Sequence, residues 1–357
     1  MTKKPSPKKS LRQKVDARQL PDRKPINLGL QGGGAHGAFT WGVLDRLLED
    51  QRLDFDGIVG TSAGAMNAVA LTAGMHQGGR EKARECLAAF WHATSEAAKL
   101  SPIQPSPLDR WLSLGNLDFS PSWHAFDKLS RIASPYQLNP WNFNPLREVL
   151  NDVVNFDAVR TPGGVKLFLC ATNVRTGKIK VFKEQELTLD AVLASACLPF
   201  LYKAVEIEGE AYWDGGYMGN PPIFPLIYHT DCSDILIVQI NPINIDNVPN
   251  TAQEIFDRIN TLSFNSSLMR EMRTIDFVTQ LIDQGKLDDK HYKRLNIHTI
   301  DAEEDMVKFN VSSKLNADAG FLDHLFQLGR ARGDEWLSTH VDKVGVESST
   351  DIAAKFL

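Results

Sequence analysis

Residues 26–64 read "INLGLQGGGAHGAFTWGVLDRLLEDQRLDFDGIVGTSAG" and contain two apolar runs, each followed by a glycine-rich turn. The runs "INLGLQ" and "FDGIVG" are typical of buried strands. Between them, "GAFTWGVLDRLLED" places its apolar residues along one face of a helix. Because the strands alternate with helices, they are expected to be parallel neighbours in one sheet.

The same alternation continues along most of the chain. Helices are predicted from about Ala63 to Gly74 and from about Arg80 to Ala97. After residue 251 the chain becomes mostly helical, with one long amphipathic stretch. The fold class is therefore predicted as α/β, a largely parallel sheet with helices on both faces, plus a helical C-terminal extension. Further strands are predicted at "VKLFLCATNV", "KIKVFK", "DILIVQIN" and "RLNIHTI", and further helices at "TLDAVLASAC" and "FLDHLFQLGRARGDEWL".

Composition excludes several classes of protein. The 357 residues carry a formal net charge of −5, although residues 1–25 are basic, so the remainder is acidic and no nucleic-acid partner is expected. The four cysteines form no C-x-x-C pair, which argues against a disulfide framework or a thiolate metal site and favours a reducing, cytoplasmic location. No apolar run is long enough for a membrane-spanning helix.

The first glycine loop satisfies two different patterns. Gly32, Gly34 and Gly37 match G-x-G-x-x-G, which in dinucleotide-binding folds precedes an acidic ribose ligand by about 20 residues. Asp54 and Asp56 lie before the apolar "GIVG", where such an acid should follow it. The alternative is that backbone N–H groups of the loop receive the oxyanion of an ester hydrolysis. A nucleotide-binding, Rossmann-like protein remains the second hypothesis.

The second glycine motif, "GTSAG", matches G-x-S-x-G in the strand–turn–helix context that this pattern requires. A sharp turn would expose the Ser62 hydroxyl at a helix N-terminus, where the helix dipole favours developing negative charge. A glycine-rich turn without chemistry is the alternative. The elbow residues are Gly60, Thr61, Ser62, Ala63 and Gly64.

A nucleophilic serine needs a base. None of the histidines after the elbow stands in a sequence typical of a catalytic loop; they are His76, His92, His124, His229, His291, His298, His324 and His340. Asp214, followed by Gly215 and Gly216 in "EAYWDGGYMGNPP", could accept the serine proton directly if it is buried and close. Read locally, Asp-Gly-Gly is more typical of a plain turn.

Together, "QGGGAHG", "GTSAG" and "WDGGYMGNPP", with "LASACLPFLY" before the last, resemble the motifs of the patatin-like phospholipases from about Ile26 to Tyr228. The resemblance implies a lipid or other acyl ester as substrate, with hydrolysis of phospholipase A or lysophospholipase type. It implies Ser62 as nucleophile, Asp214 as its base, and neither metal nor organic cofactor. It also implies an oxyanion hole built from Gly32, Gly33, Gly34, Ala35, His36 and Gly37.

One position departs from the commoner family pattern, because the glycine loop often carries Arg where this chain has His36. With a reference pKa of about 6.5, a histidine there need not be charged at neutral pH. His36 could shape the loop or act as an auxiliary acid–base group, and both interpretations stay open. A catalytically inactive, lipid-binding scaffold is the remaining alternative to an enzyme.

The sequence pattern and the resemblance together divide the chain into a basic, disordered tail (1–25), a patatin-like acyl hydrolase domain (26–228) and a segment with the last core strand and a helical extension (229–357). Residues 101–145 form an insertion rich in proline and aromatic residues. An irregular insertion of this length predicts a lid or an acyl-binding wall, or simply rings packed over the sheet edge. Peripheral contact with a membrane surface is a further hypothesis, and no oligomeric state is predicted.

Overall fold

The glycine-rich unit of residues 26–64 lies at the centre of the sheet. The computed structural model describes residues 23–288 and 291–357. The strands are β1 Lys24–Leu30, β2 Leu53–Gly60, β3 Lys166–Asn173, β4 Ile179–Lys183, β5 Val205–Ile207, β6 Glu210–Asp214, β7 Asp234–Val238 and β8 Asn296–Ile300. The helices are α1 Gly37–Asp50, α2 Ala63–Ala98, α3 Pro107–Leu112, α4 Pro121–Ser130, α5 Pro135–Leu138, α6 Pro145–Val153, α7 Phe156–Val159, α8 Leu189–Ser195, α9 Phe224–His229, α10 Ala252–Asp283, α11 Glu303–Met306, α12 Ala319–Thr339 and α13 Ile352–Phe356.

Within the described residues the strands form one mixed sheet in the order β5-β6-β3-β2-β1-β7-β8, with β4 paired to β3. The central run from β3 to β8 is parallel, and β4, β5 and β6 pair antiparallel. The predicted α/β class with a largely parallel sheet is confirmed. The strand predicted at "RLNIHTI" is β8, which joins the sheet edge beside β7.

Helices cover both faces of the sheet because strand side chains alternate between them. In β7, Leu236 and Val238 belong to the core formed with α1, α2, α8 and α12. Their neighbours Ile235 and Ile237 belong to the opposite core, formed with α9, α10 and α13. Residues after 228 therefore contribute to the sheet and to both helical layers.

The helix α2 contains both helices predicted between Ala63 and Ala97. They are joined at a kink where Gly78 and Gly79 leave helical geometry, and Gly79 has a φ of 75°. A positive φ is readily adopted only by glycine, so the kink is encoded locally.

The insertion at 101–145 is more regular than predicted, because it contains three short helices and the start of a fourth. The same local sequence begins each one: a Ser or Asn at the N-cap is followed by Pro at the first helical position. Proline suits that position since its φ is already helical and its missing N–H would have no partner within the helix. The four pairs are Ser106-Pro107, Ser120-Pro121, Ser134-Pro135 and Asn144-Pro145.

The predicted basic tail, residues 1–25, lies outside the described residues except for its last three. Of these, Lys24 and Pro25 already belong to β1, so the strand begins two residues earlier than the sequence pattern placed it. In the described part of the chain, no helix combines the length and apolar character needed to cross a membrane.

Candidate active site

Strand register brings Ser62 and Asp214 to the same end of the sheet, on either side of β3. Gly60, the last residue of β2, is paired with Leu169 of β3. Asp214, the last residue of β6, is paired with Ala171, two residues farther along β3. Two residues that are far apart in the sequence are thus neighbours in the fold.

The turn "GTSAG" has the sharp geometry predicted for it. Ser62 has φ 55° and ψ −122°, a strained conformation for a residue with a side chain, and α2 begins at the next residue. Close packing requires glycine on either side: a Cβ on Gly64 would lie 2.2 Å from the Leu30 carbonyl oxygen, and one on Gly60 would lie 2.6 Å from the Gly64 carbonyl oxygen. The Ser195 hydroxyl accepts a hydrogen bond from the Ser62 N–H at 3.0 Å. The serine is therefore held rigidly at the helix N-terminus.

Asp214 is fully buried, with 0% of its surface exposed. Its backbone N–H donates to the Cys197 carbonyl at 2.8 Å, and its carbonyl accepts from the Thr172 hydroxyl at 2.8 Å. The Gly216 N–H donates to Oδ1 at 2.7 Å, which orients the carboxylate. Its other oxygen, Oδ2, has no hydrogen-bond partner among the described residues. A buried carboxylate with one unpartnered oxygen can accept a proton.

Burial raises the pKa of Asp214 to about 6, because a low-dielectric surrounding disfavours the charged form. The Gly216 N–H, the neighbouring Ser62 hydroxyl and the charge of Lys314 each lower this pKa and so limit the rise. No hydrogen bond of ordinary length and angle joins Ser62 to Oδ2. Catalytic hydrogen bonds are often long without substrate and shorten when it binds.

The glycine loop after β1 is fixed by two asparagines. The Gly32 N–H donates to Asn220 Oδ1 at 2.6 Å. The Gly32 carbonyl accepts from Asn241 Nδ2 at 2.8 Å and from Asn220 Nδ2 at 3.2 Å. Because a trans peptide directs its C=O and N–H in opposite directions, the Gly33 N–H points away from both asparagines.

Some backbone N–H groups of the glycine loop donate hydrogen bonds within the protein, and others do not. The His36 N–H donates to the Gly33 carbonyl at 3.3 Å, and the Gly37 N–H points to the carbonyls of Gly34 and Ala35. Among the described residues, none accepts a hydrogen bond from the N–H groups of Gly33, Gly34 or Ala35. The loop packs against the elbow, since a Cβ on Gly32 would lie 2.5 Å from the Ser62 Cβ. The N–H groups that lack an acceptor thus lie in the loop that packs against Ser62.

His36 is buried beneath the loop, against the C-terminal part of the chain. Its Nε2 lies 2.7 Å from the Ser313 hydroxyl, which itself donates to the Asn310 carbonyl at 2.6 Å. That hydroxyl has a single proton, so His36 Nε2–H must be the donor. Burial and the nearby Lys314 charge lower the pKa of His36 well below its usual value, and the rings of Phe309 and Phe321 pack around it. A neutral, buried imidazole favours the loop-shaping interpretation.

A dinucleotide does not fit the same loop. Phosphate binding needs open space over the glycines, yet a Cβ on Gly34 would lie only 2.2 Å from the Lys314 carbonyl oxygen, and Gly32 is covered by Ser62. Asp56, one of the two acids considered for a ribose, accepts backbone hydrogen bonds from Asp231 and Cys232. Those contacts lie at the amino ends of the parallel strands, away from the loop. The geometry disfavours the nucleotide-binding hypothesis.

No histidine in the described ranges is hydrogen-bonded to Ser62 or Asp214. His298 and Asp234 do form a histidine–carboxylate pair at 3.0 Å, with the Ser349 hydroxyl 2.9 Å from the other ring nitrogen. This pair joins the amino end of β7 to β8, at the opposite end of the sheet from the elbow. In residues 23–288 and 291–357, no three His, Cys, Asp or Glu side chains are grouped closely enough to hold a metal ion.

Sequence reasoning missed the residues that support the site from elsewhere in the chain: Ser195, Asn220, Asn241 and Lys314. Asn220 stands in the quoted "GNPP", and Asn241 follows β7, which neighbours β1. An asparagine just beyond a strand that adjoins the glycine loop is a usable signal for loop support. Ser195 and Lys314 carry no local signal of this kind.

Comparisons with known proteins agree with these motifs. The sequence model of the family described as patatin-like phospholipase matches residues 28–227. Among curated proteins, none matches the chain significantly. Among solved structures, VipD from Legionella pneumophila is 16% identical, with a TM-score of 0.42, over 90% of this chain and 67% of that protein.

ExoU, in its complex with SpcU from the type III secretion system of Pseudomonas aeruginosa, is 15% identical with a TM-score of 0.35. The match covers 90% of this chain and 52% of that one, so the chain spans about half the length of this neighbour. The family match covers more than half of the chain and includes the glycine loop, the serine elbow and the Asp-Gly-Gly turn. The chain therefore belongs to the patatin-like phospholipase family of ester hydrolases.

Proposed function

We propose that this protein hydrolyses carboxylic ester bonds of lipids, in a reaction of phospholipase A or lysophospholipase type, through a Ser62–Asp214 dyad. The observation that carries the proposal is the pairing of a strained serine at a helix N-terminus with a fully buried carboxylate whose Oδ2 is unpartnered among the described residues. Burial keeps that carboxylate basic enough to accept a proton near neutral pH.

In the first half-reaction the Ser62 hydroxyl oxygen attacks the ester carbonyl carbon while its proton passes to Asp214 Oδ2. The carbonyl oxygen becomes an oxyanion, and the N–H groups of Gly33, Gly34 and Ala35 are the donors free to receive it. Each such donor contributes about 2.7 to 4 kcal/mol to transition-state stabilisation. Collapse of the tetrahedral intermediate expels the alcohol, which takes the proton from Asp214, and leaves an acyl group on Ser62.

In the second half-reaction Asp214 takes a proton from water as the water oxygen attacks the acyl carbonyl. The same loop donors hold the second oxyanion. When this intermediate collapses, the carboxylic acid leaves and the proton returns to Ser62. Since Asp214 must be ionised at the start, activity is expected to fall as the pH drops below about 6.

The insertion supplies features suited to a lipid substrate. A cavity of about 810 Å³ lies between residues 130–137 and the turn that follows Asp214, and its apolar lining includes Ile132, Phe200, Trp213 and Tyr217. Farther out, Trp111 and Trp141 are 79% and 90% exposed. Exposed tryptophans are favoured at the membrane–water interface. We infer that the cavity accepts an acyl chain and that the exposed rings rest on the lipid surface.

Labelling with a fluorophosphonate probe tests the dyad directly, because the probe reacts covalently with activated serines. We expect the folded wild-type protein to be labelled, Ser62→Ala to be unlabelled and Asp214→Asn to react far more slowly. Ser338→Ala is the control, because it removes an exposed serine hydroxyl near the end of α12 and leaves the elbow untouched. A wild-type protein that resists the probe and leaves phospholipid intact would instead be the inactive lipid-binding scaffold.

A further inference from the structure

Lys314 reaches the candidate site from outside the part of the chain that matches the family. It lies on the 3-10 turn Val311–Leu315, which packs directly on the glycine loop. The contact is between backbones, because a Cβ on Gly34 would lie 2.2 Å from the Lys314 carbonyl oxygen. His36 and Ser313 fasten the same two segments together with their hydrogen bond of 2.7 Å.

The ammonium group of Lys314 is aimed at polar groups of the site and not at a carboxylate. Its Nζ donates to Asn241 Oδ1 at 2.9 Å and lies 5.7 Å from the centre of the Phe264 ring. The same ring packs against Gly216, where a Cβ would be 2.3 Å from a ring carbon. Within the described ranges, no ion pair joins this ammonium to an Asp or Glu, and Asp257 and Asp214 act on it only through space. Its charge is thus available to the site.

Two routes connect this charge to the proposed chemistry. Lys314 holds Asn241, and Asn241 Nδ2 donates to the Gly32 carbonyl at 2.8 Å, which fixes the peptide that presents the Gly33 N–H. Through space, the same charge favours the ionised form of Asp214 and disfavours a charged His36. The loop itself carries no cation, because His36 is neutral.

We propose that Lys314 is a positioning residue for the proposed ester hydrolysis, supplying from the C-terminal segment the positive charge that the glycine loop lacks. The proposal rests on the Ser62–Asp214 function. Lys314 acts through Asn241 on the oxyanion donors and through its field on the base. Neither action requires the substrate to carry a phosphate.

The pH profile gives this role a signature that a merely structural lysine would lack. Partial burial lowers the pKa of Lys314 to about 8, whereas Asp214 and Asp257 raise it. The groups facing the ammonium are Asp214, Asp257 of α10, His36 and the Asn241 amide. Activity should therefore have an acidic limb near pH 6 from Asp214 and an alkaline limb near pH 8 from Lys314.

The test compares Lys314→Met and Lys314→Arg in the full chain, using a soluble, uncharged short-chain ester and the fluorophosphonate probe. We expect Lys314→Met to lower kcat by about tenfold, somewhat less than the loss of a direct oxyanion donor, with KM near the wild-type value. Its acidic limb should move to higher pH. Lys314→Arg should restore most of kcat and lose the alkaline limb, since arginine stays charged. Asn241→Ala should reproduce the loss in kcat if Lys314→Met does not fold, and Lys343→Met is the control for a surface lysine.

The outcomes separate the two proposals. If the wild-type protein is labelled at Ser62 but Lys314→Met reacts equally fast with an unmoved acidic limb, the positioning role is wrong and the dyad stands. A loss confined to phosphate-bearing substrates would also overturn it, in favour of headgroup binding. If the wild-type protein neither reacts with the probe nor hydrolyses the ester, both proposals fail together.

Discussion

Replacing Asp214 with Asn should abolish turnover and at the same time stabilise the folded protein at alkaline pH. The carboxylate is fully buried, and among the described residues only the Gly216 N–H donates to it, at Oδ1. Asn keeps that acceptor and the shape of the side chain, while it removes the buried charge. The free-energy cost of burying the Asp214 charge should therefore be measurable as a higher free energy of unfolding in Asp214→Asn.

The size of the gain follows from the pKa of Asp214, which burial raises from 3.8 to about 6. At pH values above about 6, the folded state holds a buried charge that the unfolded state exposes to water. The pKa difference of about two units between the two states therefore destabilises the folded state by up to about 3 kcal/mol. Below the folded-state pKa the carboxyl group is protonated in the native protein. At about pH 5 the penalty is roughly half as large. The stabilisation by Asn should thus grow as the pH rises.

Chemical denaturation of wild type and Asp214→Asn at about pH 8 and about pH 5 measures this difference from the shift in midpoint. Ser62→Ala serves as the matched control, because it also removes activity but leaves the buried carboxylate in place. A stabilisation by Asn that is equal at the two pH values would refute the assignment of a raised pKa to Asp214. So would a gain of the same size in Ser62→Ala.

Three further results are expected. Ser62→Gly should be more stable than Ser62→Ala by about 1 kcal/mol in thermal unfolding, because glycine relieves the strain at φ 55°; equal stability would contradict the strain. Glu271, with a pKa raised by burial to about 7, accepts hydrogen bonds from the N–H groups at the start of α9. Glu271→Ala should therefore lower the free energy of unfolding by about 1 to 3 kcal/mol, and Glu271→Gln, which keeps an acceptor, by much less. Equal losses in the two variants would exclude this role. Replacing Trp111 and Trp141 with Ser should lower phospholipid hydrolysis in vesicles about tenfold relative to hydrolysis of a soluble ester, whereas Val346→Ser, at another exposed apolar position, should not change that ratio.

Local sequence was sufficient for the sheet and for naming Ser62 as the candidate nucleophile. Each strand of the central sheet is a short apolar run bounded by a turn, and the elbow motif carries its own geometry in the two glycines around Ser62. Asp214 could be named only through its likeness to a family motif, since Asp-Gly-Gly read alone is a turn. What sequence could not supply is the register of β3 against β2 and β6, which brings that turn beside the serine.

The insertion was mispredicted as irregular for a physical reason. Its prolines were interpreted as helix breakers, although a proline directly after an N-capping Ser or Asn can also begin a helix. Six Ser-Pro or Asn-Pro pairs occur in residues 101–145, and four of them begin a helix, whereas Ser101-Pro102 and Asn139-Pro140 do not. Hydrophobic periodicity could not predict α3 and α5, because these helices are only 6 and 4 residues long.

The charged groups of the proposed site come from distant parts of the chain, and only some of them lie in the sequence motifs. A dyad base must stay ionised near neutral pH inside a dry pocket, and desolvation alone would raise its pKa further. In this chain the glycine loop offers no compensating cation, because His36 is buried, neutral and engaged with Ser313. Lys314 lies 278 positions after His36, and its charge lowers the pKa of Asp214. Residues 28–227 thus contain the proposed reacting groups, while their electrostatic balance depends on how the C-terminal segment packs onto the loop.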